Sequence, residues 1–282
     1  MVTFVSVLKY EQIKVNKALE HELAAMPAPL RDIVGHVLMA GGKRLRPLLT
    51  LLSARLFGAE GDGLYRLAVI PEMIHVATLL HDDVLDEAES RRGRKSAHLI
   101  YGTAPAILAG DALLAAASHR TASFGIPSLL TCVSEAVLMT AAGEAHEIAL
   151  QHSLTHSLKE YIDIVAGKTG WLLKGSCRLG ALYAGASEDE VEAVSDYGLN
   201  LGIAFQIVDD LLDIQGDVHK LGKETGMDAQ RGKLTWPAVC GVEQSRKDAL
   251  EAVSQAVRAM QLFGTKGDFL AELAQKSLVR SN

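Results

Sequence analysis

Asp82-Asp83-Val84-Leu85-Asp86 and Asp209-Asp210-Leu211-Leu212-Asp213 are two aspartate clusters of identical spacing in a chain of 282 residues. Each cluster follows an apolar run with helical spacing, 74–81 before the first and 203–208 before the second. Positions i and i+4 of a helix share a face, so the first and last aspartates of each cluster lie one above the other. Like charges placed in this way, beside apolar side chains, are unfavourable unless a cation neutralises them. The two clusters therefore predict a pair of helices that share a cation.

The chemistry of the aspartates favours magnesium. Mg²⁺ takes hard oxygen ligands, usually a few carboxylates, and completes its shell with water and phosphate oxygens. A single acidic cluster is usually a solvated helix face, but two copies after two apolar runs, each followed by basic residues, are hard to explain in that way. The predicted metal ligands are Asp82, Asp83, Asp86, Asp209, Asp210 and Asp213.

Composition places the chain among ordered globular proteins. Apolar residues make up 49% of the chain and charged residues 22%, which is enough for a sizeable core. The formal net charge of −6 gives no sign of a nucleic-acid partner. Helical periodicity covers nearly every segment, strand-like alternation is absent, and glycine and proline breaks separate the segments. The predicted fold is one all-α domain over residues 1–282, a bundle of roughly ten or more helices with the stretches 124–143 and 198–212 inside it.

The same features predict a cytoplasmic protein without stable membrane insertion. Cys132, Cys177 and Cys240 are scattered and odd in number, as is typical of a reduced compartment. The N-terminus has neither the basic region nor the apolar core of a signal peptide. The most apolar stretch contains Pro127 and Glu135, which favours a buried core helix over a membrane span.

Basic residues accompany the aspartates in three places. The turn Gly41-Gly42-Lys43-Arg44-Leu45-Arg46-Pro47 contains three cations, Arg91-Arg92-Gly93 follows the first cluster, and Lys223 and Lys233 follow the second. Arginine forks match phosphate oxygens two at a time, and glycine lets the backbone approach a ligand closely. Beside a magnesium site, these groups indicate a polyphosphate ligand. A diphosphate ester with a hydrocarbon tail fits both the charged groups and the apolar helices.

The ordered motifs resemble the trans-isoprenyl diphosphate synthases, also called polyprenyl synthetases, from about Gly41 to Pro237. The motifs that carry the resemblance are 42–47, His75, 81–86, 91–93, Gly110-Asp111, Gly143-Glu144, Lys168-Thr169, 205–213 and 233–237. The resemblance implies a helical bundle around a central cavity and a prenyltransferase. Such an enzyme condenses isopentenyl diphosphate with an allylic diphosphate, head to tail, with two or three Mg²⁺ ions in each active site.

The resemblance also implies roles for individual residues. Asp82, Asp86 and Asp209, assisted by Asp83, Asp210 and Asp213, would hold Mg²⁺ on the allylic diphosphate. Arg91, Lys168 and Lys223 would stabilise the departing diphosphate, while oxygen dipoles near Lys168-Thr169, together with Gln206, would steady the allylic cation. Isopentenyl diphosphate would be held by Lys43, Arg46, His75 and Arg92, and Gly42 and Lys233 complete the predicted substrate-binding set. His81 has no assigned role, and Glu144 and Glu147 could be partners of catalytic residues or simple polar lining.

Small residues before the first cluster predict a long product. By the resemblance, the hydrocarbon tail runs along the helix that carries Asp82, with Ile74, Ala77 and Thr78 as its wall. Bulky aromatic residues at the two positions nearest the cluster would stop elongation early, but Ala77 and Thr78 are small. We therefore expect a product of twenty carbons or more.

Two other functions share parts of this pattern. A non-catalytic or regulatory subunit of a heteromeric prenyl synthase commonly has a damaged aspartate cluster, whereas both clusters are intact here. A class I terpene cyclase would lack the basic turn 41–47 and usually the second cluster. The sequence therefore favours the synthase. The resemblance also predicts a homodimer formed through helices beside the active site.

Overall fold

Long helices form almost all of the structure, a computed structural model that describes residues 4–150, 158–215 and 234–278. In chain order they are α1 (Phe4–Ala25), α2 (Ala28–Leu38), α3 (Leu45–Leu56), α4 (Gly63–Leu85), α5 (Ala97–Tyr101), α6 (Thr103–Ala122), α7 (Pro127–Leu150), α8 (Leu158–Val165), α9 (Trp171–Tyr183), α10 (Glu188–Gln215), α11 (Trp236–Cys240), α12 (Val242–Met260) and α13 (Asp268–Ser277). A π-helical turn, Ala166–Gly170, joins α8 to α9, and a 3₁₀ segment, Gln261–Gly267, joins α12 to α13. The predicted all-α bundle is confirmed, while its single-domain boundaries stay a prediction.

The ends of the helices follow from local sequence. Helix α10 begins after Ser187, whose backbone N–H donates to the Glu190 carboxylate at 2.8 Å; a side chain three residues on thus satisfies a donor at the helix start. Helix α7 begins at Pro127. Two residues earlier, Gly125 adopts a left-handed conformation with φ of 68°. Proline suits the first turn of a helix because its missing N–H would have no intrahelical partner there.

Helix α4 lies at the centre of the bundle and carries the first aspartate cluster. It packs against α6 and α3, and its buried side chains cover most of its circumference. Within the described ranges it is the one helix long and apolar enough to cross a membrane, but 78% of its most apolar window is buried inside the protein. This burial is what a core helix of a bundle requires.

The structure departs from the predicted pattern in two places. Ser90–Arg91 and Arg94–Lys95 pair as a short antiparallel hairpin, with a turn at Arg92 (φ 53°) and Gly93 (φ 72°). Two positive φ values at the turn match the twist of a tight hairpin, but strands of two residues leave no periodic signal. The prediction that 124–143 lies inside the bundle is wrong for one face of α7, because Leu138 on that face is 67% exposed.

Glycines let α7, the π-helical turn and α10 approach one another closely. A Cβ atom on Gly143 would lie 2.5 Å from the backbone nitrogen of Lys168, and one on Gly202 would lie 2.7 Å from the Cα of Gly170. Neither contact can be relieved by a side-chain rotation, because the opposing atoms belong to the backbone. These glycines therefore fix the position of the turn that carries Lys168 and Thr169.

We expect Gly143→Ala to destabilise the protein by about 1–3 kcal/mol, since the added methyl group overpacks a backbone contact. The variant should also lose activity through displacement of the turn at 166–170. Gly35→Ala is the matched control, because its Cβ would meet only the flexible side chain of Leu23, at 3.2 Å. Urea unfolding measures the first effect, and equal stability of the two variants would contradict this packing.

Candidate active site

A cavity of about 670 Å³ lies between α3, α4, α9 and α10, and both aspartate clusters contribute to its wall. Helix α4 contributes side chains with helical spacing, namely His75, Thr78, Leu79, Asp82 and Asp86. Helix α10 contributes a matching row of Phe205, Gln206, Asp209 and Leu212. Each row repeats at three or four residues, so each is one face of a helix. Helices α4 and α10 therefore border one cavity with their aspartate clusters, as the sequence predicted.

One end of the cavity is rich in basic groups and is here called the cationic end. Its residues are Gly42, Lys43, Arg46, His75 and Arg92. Burial, together with Arg92, lowers the pKa of Arg46 to about 10, although Glu72 opposes the shift. Burial and the surrounding guanidinium groups, first Arg46 and then Arg92, lower the pKa of His75 well below its ordinary value. The side chains thus repel one another, and an anion would relieve that repulsion.

A buried ion pair holds the cationic end in place. Arg44 adopts a left-handed conformation (φ 50°) and its guanidinium contacts Glu72 of α4 at 2.8 Å. The same guanidinium donates to the carbonyl of Leu38 at 2.8 Å and to the side chain of Asn16 at 2.9 Å. Arg44 therefore anchors the turn from inside, and its neighbours Lys43 and Arg46 line the cavity beside it.

Two turns of α4 beyond His75, the cavity is lined by Asp82 and Asp86, and with Asp209 of α10 they form what is here called the acidic end. Burial, then Glu144 and Asp86, raise the pKa of Asp82 to about 7, while Lys168 and Arg91 oppose the shift. A carboxyl group that resists ionisation in this way gains most from a nearby cation. No three acidic, histidine or cysteine side chains in the described part of the chain converge closely enough to hold a metal ion by themselves. Three oxygen-ligand side chains still fit Mg²⁺, which draws further ligands from water and phosphate.

The middle aspartate of each cluster does not line this cavity. Asp83 is buried and forms a two-pronged pair with Arg91, with Nε at 2.7 Å and Nη2 at 2.6 Å. Asp210 is also buried and accepts hydrogen bonds from the Tyr161 hydroxyl at 2.6 Å and the Trp236 backbone N–H at 2.8 Å. Both carboxylates therefore position neighbouring groups, and their predicted role as metal ligands stays a prediction.

Lys168 projects into the cavity from the π-helical turn between two carboxylates. Its Nζ lies 2.7 Å from Glu144 and 2.5 Å from Glu147, both on α7. Burial alone would lower the pKa of Lys168, but Glu147 and Glu144 outweigh it and raise the pKa above its ordinary value. Glu144 and Glu147 are therefore partners of Lys168 rather than simple polar lining. A π-helical turn often marks a functional position because it turns side chains out of the regular helical register.

Thr169 and Gln206 meet beside Lys168. The Thr169 hydroxyl donates to Gln206 Oε1 at 3.0 Å, and Gln206 Nε2 donates to Asp210 at 2.9 Å. Both side chains line the cavity. The apolar remainder of its wall comes from Leu45, Leu79, Leu172, Leu173, Phe205 and Leu212. The site thus joins a cationic end, an acidic end and an apolar wall in one space.

Comparison with known proteins assigns the family. A model of the polyprenyl synthetase family matches residues 27–263. The octaprenyl diphosphate synthase of Escherichia coli is 33% identical over 243 residues, which cover 86% of this chain and 75% of that protein. The nonaprenyl diphosphate synthase of Mycobacterium tuberculosis is 36% identical over 247 residues, 87% of this chain and 73% of that protein.

The chain belongs to the polyprenyl synthetase family.

Solved structures agree with this assignment. A polyprenyl synthase from Caulobacter crescentus, complexed with calcium and isoprenyl diphosphate, superposes with a TM-score of 0.90 at 32% identity and covers 99% of this chain and 97% of its own. A decaprenyl diphosphate synthase from Rhodobacter capsulatus gives a TM-score of 0.91 at 32% identity, with 99% and 98% coverage. The protein is a trans-isoprenyl diphosphate synthase, a transferase that elongates prenyl chains.

The residues predicted to set product length occupy different positions in the synthase. Thr78 lines the cavity, one turn before Asp82. Ile74 and Ala77 are fully buried in the apolar core. At about 100° per residue, Ala77 points roughly 140° away from Asp82 on the helix, whereas Thr78 is only about 40° away. Thr78 is therefore the member of the predicted wall that borders the cavity.

Some predicted site residues do not line the cavity, and the sequence did not single out some residues that hold the site in place. Lys223 and Lys233 lie outside the described residues, and Asp213 is half-buried but is not among the cavity-lining residues of the acidic end. Glu72 and Tyr161 were not singled out by the sequence. An acidic residue inside an otherwise apolar helix was the available signal for Glu72, since such a charge needs a partner.

The raised pKa of Asp82 gives a prediction about stability. Its pKa is about 7 in the folded protein, against roughly 3.9 in an unfolded chain, so the folded state binds more protons between these values. The free energy of unfolding therefore falls as pH rises from 4 to 7, and the penalty is complete above pH 7. In magnesium-free buffer at pH 8, Asp82→Asn should melt a few degrees higher than the wild type.

The same comparison at pH 4 should show little difference, because the Asp82 carboxyl is then protonated in the folded state. Glu60→Gln, at an exposed loop position, is the control and should shift the melting temperature equally at both pH values. Addition of Mg²⁺ with inorganic diphosphate should stabilise the wild type more than Asp82→Asn. An Asp82→Asn protein that is less stable than the wild type at pH 8 would contradict this account.

Proposed function

We propose that this synthase condenses isopentenyl diphosphate with an allylic diphosphate, that the reaction depends on Mg²⁺, and that the product has twenty carbons or more. The observation that supports the proposal is the division of one cavity into a cationic end and an acidic end. Two diphosphates with different requirements can bind there, one at each end. One would need only basic side chains, and the other would need a divalent cation held by the carboxylates.

The cationic end suits isopentenyl diphosphate. Lys43, Arg46 and Arg92 supply charge-assisted hydrogen bonds to diphosphate oxygens, and neutral His75 supplies a further ring N–H. The backbone turns sharply at Gly42, where φ is 131° and a Cβ would lie 3.2 Å from the Arg92 guanidinium. Glycine is therefore required there for Arg92 to reach the cavity.

The acidic end suits the allylic diphosphate. Asp82, Asp86 and Asp209 would hold Mg²⁺, which would neutralise the charge that develops on the departing diphosphate. Arg91, held by Asp83, and Lys168, held by Glu144 and Glu147, are cations already placed at the same end. The complex of calcium and isoprenyl diphosphate with the Caulobacter crescentus relative supports a divalent cation at this site.

The reaction proceeds by loss of diphosphate and formation of a carbon–carbon bond. The allylic C–O bond breaks and its electron pair leaves with the diphosphate. The Thr169 hydroxyl oxygen and the Gln206 amide oxygen lie where their dipoles can face the allylic cation. The double bond of isopentenyl diphosphate then attacks that cation, and the released diphosphate takes the proton that is lost. Leu79, Leu172 and Leu173 exclude water, which would otherwise quench the cation.

An assay of diphosphate release tests this proposal. We expect release with elongated product only when isopentenyl diphosphate, an allylic primer and Mg²⁺ are all present. A cyclic hydrocarbon formed from the allylic diphosphate alone would instead identify a terpene cyclase. No turnover of the isolated protein, with turnover on addition of a second protein, would identify a subunit of a heteromeric synthase.

Two observations support the long product. The relatives include synthases of geranylgeranyl, octaprenyl and nonaprenyl diphosphate. In this chain, the cavity position one turn before Asp82 is occupied by Thr78, a small side chain whose hydroxyl donates to the His75 carbonyl at 2.9 Å. No bulky side chain therefore stands on the wall at that position.

We expect Thr78→Phe to shorten the product, because an aromatic ring at this position would occupy the space beside the growing chain. Thr78→Val, which keeps the volume, is the control and should leave the product distribution unchanged. Chromatography of the dephosphorylated products gives the distribution. If Thr78→Phe gave the wild-type product, the chain would not pass along this face of α4. Ala77→Phe is the companion test, and the sequence prediction is that it also shortens the product. An unchanged product would show that the face of Ala77, which lies in the core, is not part of the wall.

A homodimer is the proposed assembly, with an exposed apolar face on α5, α6 and α7 as its interface. The exposed side chains of this face are Leu99, Ile100, Tyr101, Ile107, Leu108, Leu130, Leu138 and Ile148. Helices α5 to α7 are packed side by side, so these side chains lie on neighbouring elements. Exposed apolar surface of this extent is typical of a contact with another protein, and a second copy would cover it.

We also propose a cytoplasmic location, which the three free cysteines support.

We expect Leu138→Glu to shift the protein from dimer to monomer, because a charge would be buried in the apolar interface. Leu250→Glu is the matched control, since Leu250 is 58% exposed on α12, away from this face. Sedimentation velocity distinguishes the two species. A Leu138→Glu protein that stays dimeric would place the interface elsewhere.

A further inference from the structure

Tyr161 is a buried side chain outside the main cavity whose hydroxyl points at the second aspartate cluster. The residue is 3% exposed, and its hydroxyl donates to Asp210 Oδ2 at 2.6 Å. Its ring also packs edge-on against Trp236, with ring centres 5.5 Å apart at 70°. Tyr161 borders a small pocket of about 100 Å³, which also contacts Lys168, Thr169 and Gln206. These contacts fix its position behind the catalytic side chains.

Asp210 determines which way the Gln206 amide faces. The group of Gln206 that meets Asp210 is its NH₂, which donates to Asp210 Oδ1 at 2.9 Å. The amide oxygen is consequently turned toward Thr169, which donates to it at 3.0 Å on the wall of the cavity. With the opposite orientation, the amide would present N–H groups to the developing cation, which would be repulsive.

Asp210 is in turn held by donors from other elements of the fold. Its Oδ2 accepts the Tyr161 hydroxyl of α8 and the backbone N–H of Trp236 at the start of α11. The indole of Trp236 is itself anchored, because Nε1 donates to Asp248 at 2.8 Å. Tyr161 and Trp236, neither of which lines the cavity, therefore help to fix the carboxylate.

We propose that Tyr161 is a positioning residue of the condensation: by holding Asp210, it fixes the Gln206 amide oxygen toward the allylic cation. This inference rests on the proposed function, because it assigns the Gln206 dipole to the cationic stage of that reaction. A preoriented dipole lowers the barrier without strengthening substrate binding, since the positive charge exists only after ionisation begins. Tyr161 therefore affects turnover and leaves ground-state affinity unchanged.

The test compares Tyr161→Phe with Tyr197→Phe, a matched control. Tyr197 is also fully buried and donates one hydrogen bond, at 2.8 Å to the Leu270 carbonyl, but it does not line the cavity. Both variants should lose a similar amount of stability. Only Tyr161→Phe should lower kcat, by about tenfold, since one hydrogen bond to a charged group is lost and the Trp236 N–H remains.

The affinities distinguish this role from a role in metal binding. Titration calorimetry of Tyr161→Phe with a non-hydrolysable allylic diphosphate analogue and Mg²⁺ should give an affinity within about twofold of the wild type. Weakened analogue binding would overturn the proposal, because Tyr161 would then serve the metal–diphosphate site through Asp210. An unchanged kcat, or an equal loss in Tyr197→Phe, would overturn it as well.

A double-mutant cycle with Thr169→Val gives a second measurement. Thr169 and Tyr161 fix opposite ends of the same amide, so the losses in kcat should be less than multiplicative. Fully multiplicative losses would show that the two residues act independently and would overturn the proposal. Turnover by the wild type tests the proposed function, whereas the role of Tyr161 is read only from ratios between variants and wild type.

Discussion

The burial of charge within an apolar bundle is the constraint on which the rest of this structure depends. Ionised groups taken from water must be paired or hydrogen-bonded, and the helices around the cavity satisfy that requirement with defined partners. Arg44 meets Glu72, Asp83 meets Arg91, and Lys168 lies between two carboxylates. What faces the cavity is a separated excess of positive charge at one end and of negative charge at the other. This separation of charge favours two diphosphate ligands, one bound by basic side chains and the other bound through a divalent cation.

Close packing of the helices supports the same arrangement. The turn that carries Lys168 and Thr169 lies against α7 and α10 at glycines, where the backbones approach to distances that no side chain would permit. Helix α4 is buried over most of its surface, so its cavity-facing row cannot rotate without disrupting contacts to α3 and α6. Rigid helices thus hold the charged groups at their positions before a substrate binds, which reduces the reorganisation that catalysis requires.

Much of the fold and the site was predictable from the sequence because helical spacing is a strong signal. The i, i+4 relation placed Asp82 and Asp86 on one face, and the ordered motifs predicted an all-α synthase fold. The middle aspartates were harder, because Asp83 is about 100° around the helix from Asp82, and only tertiary packing decides that Arg91 meets it there. The same rotation separates Thr78 at the cavity from Ala77 in the core.

Other features left no usable trace in the sequence. The hairpin at Ser90–Lys95 is too short for alternation, and the apolar content of α7 does not show which of its faces is buried within the chain and which is exposed. Tyr161 lies 49 positions from Asp210 along the chain, so no local pattern could connect them. Such contacts depend on how α8, α10 and α11 meet.

The central claim is that one cavity binds two diphosphates by different means, and titration calorimetry with and without a chelator tests it most directly. The account predicts that a non-reactive isopentenyl diphosphate analogue binds with an affinity that changes less than about threefold when Mg²⁺ is removed, a difference of well under 1.4 kcal/mol. An allylic analogue should lose more than about tenfold in affinity under the same conditions. Equal dependence of both ligands on Mg²⁺, or binding of the allylic analogue without it, would contradict the division of the cavity into a cationic and an acidic end.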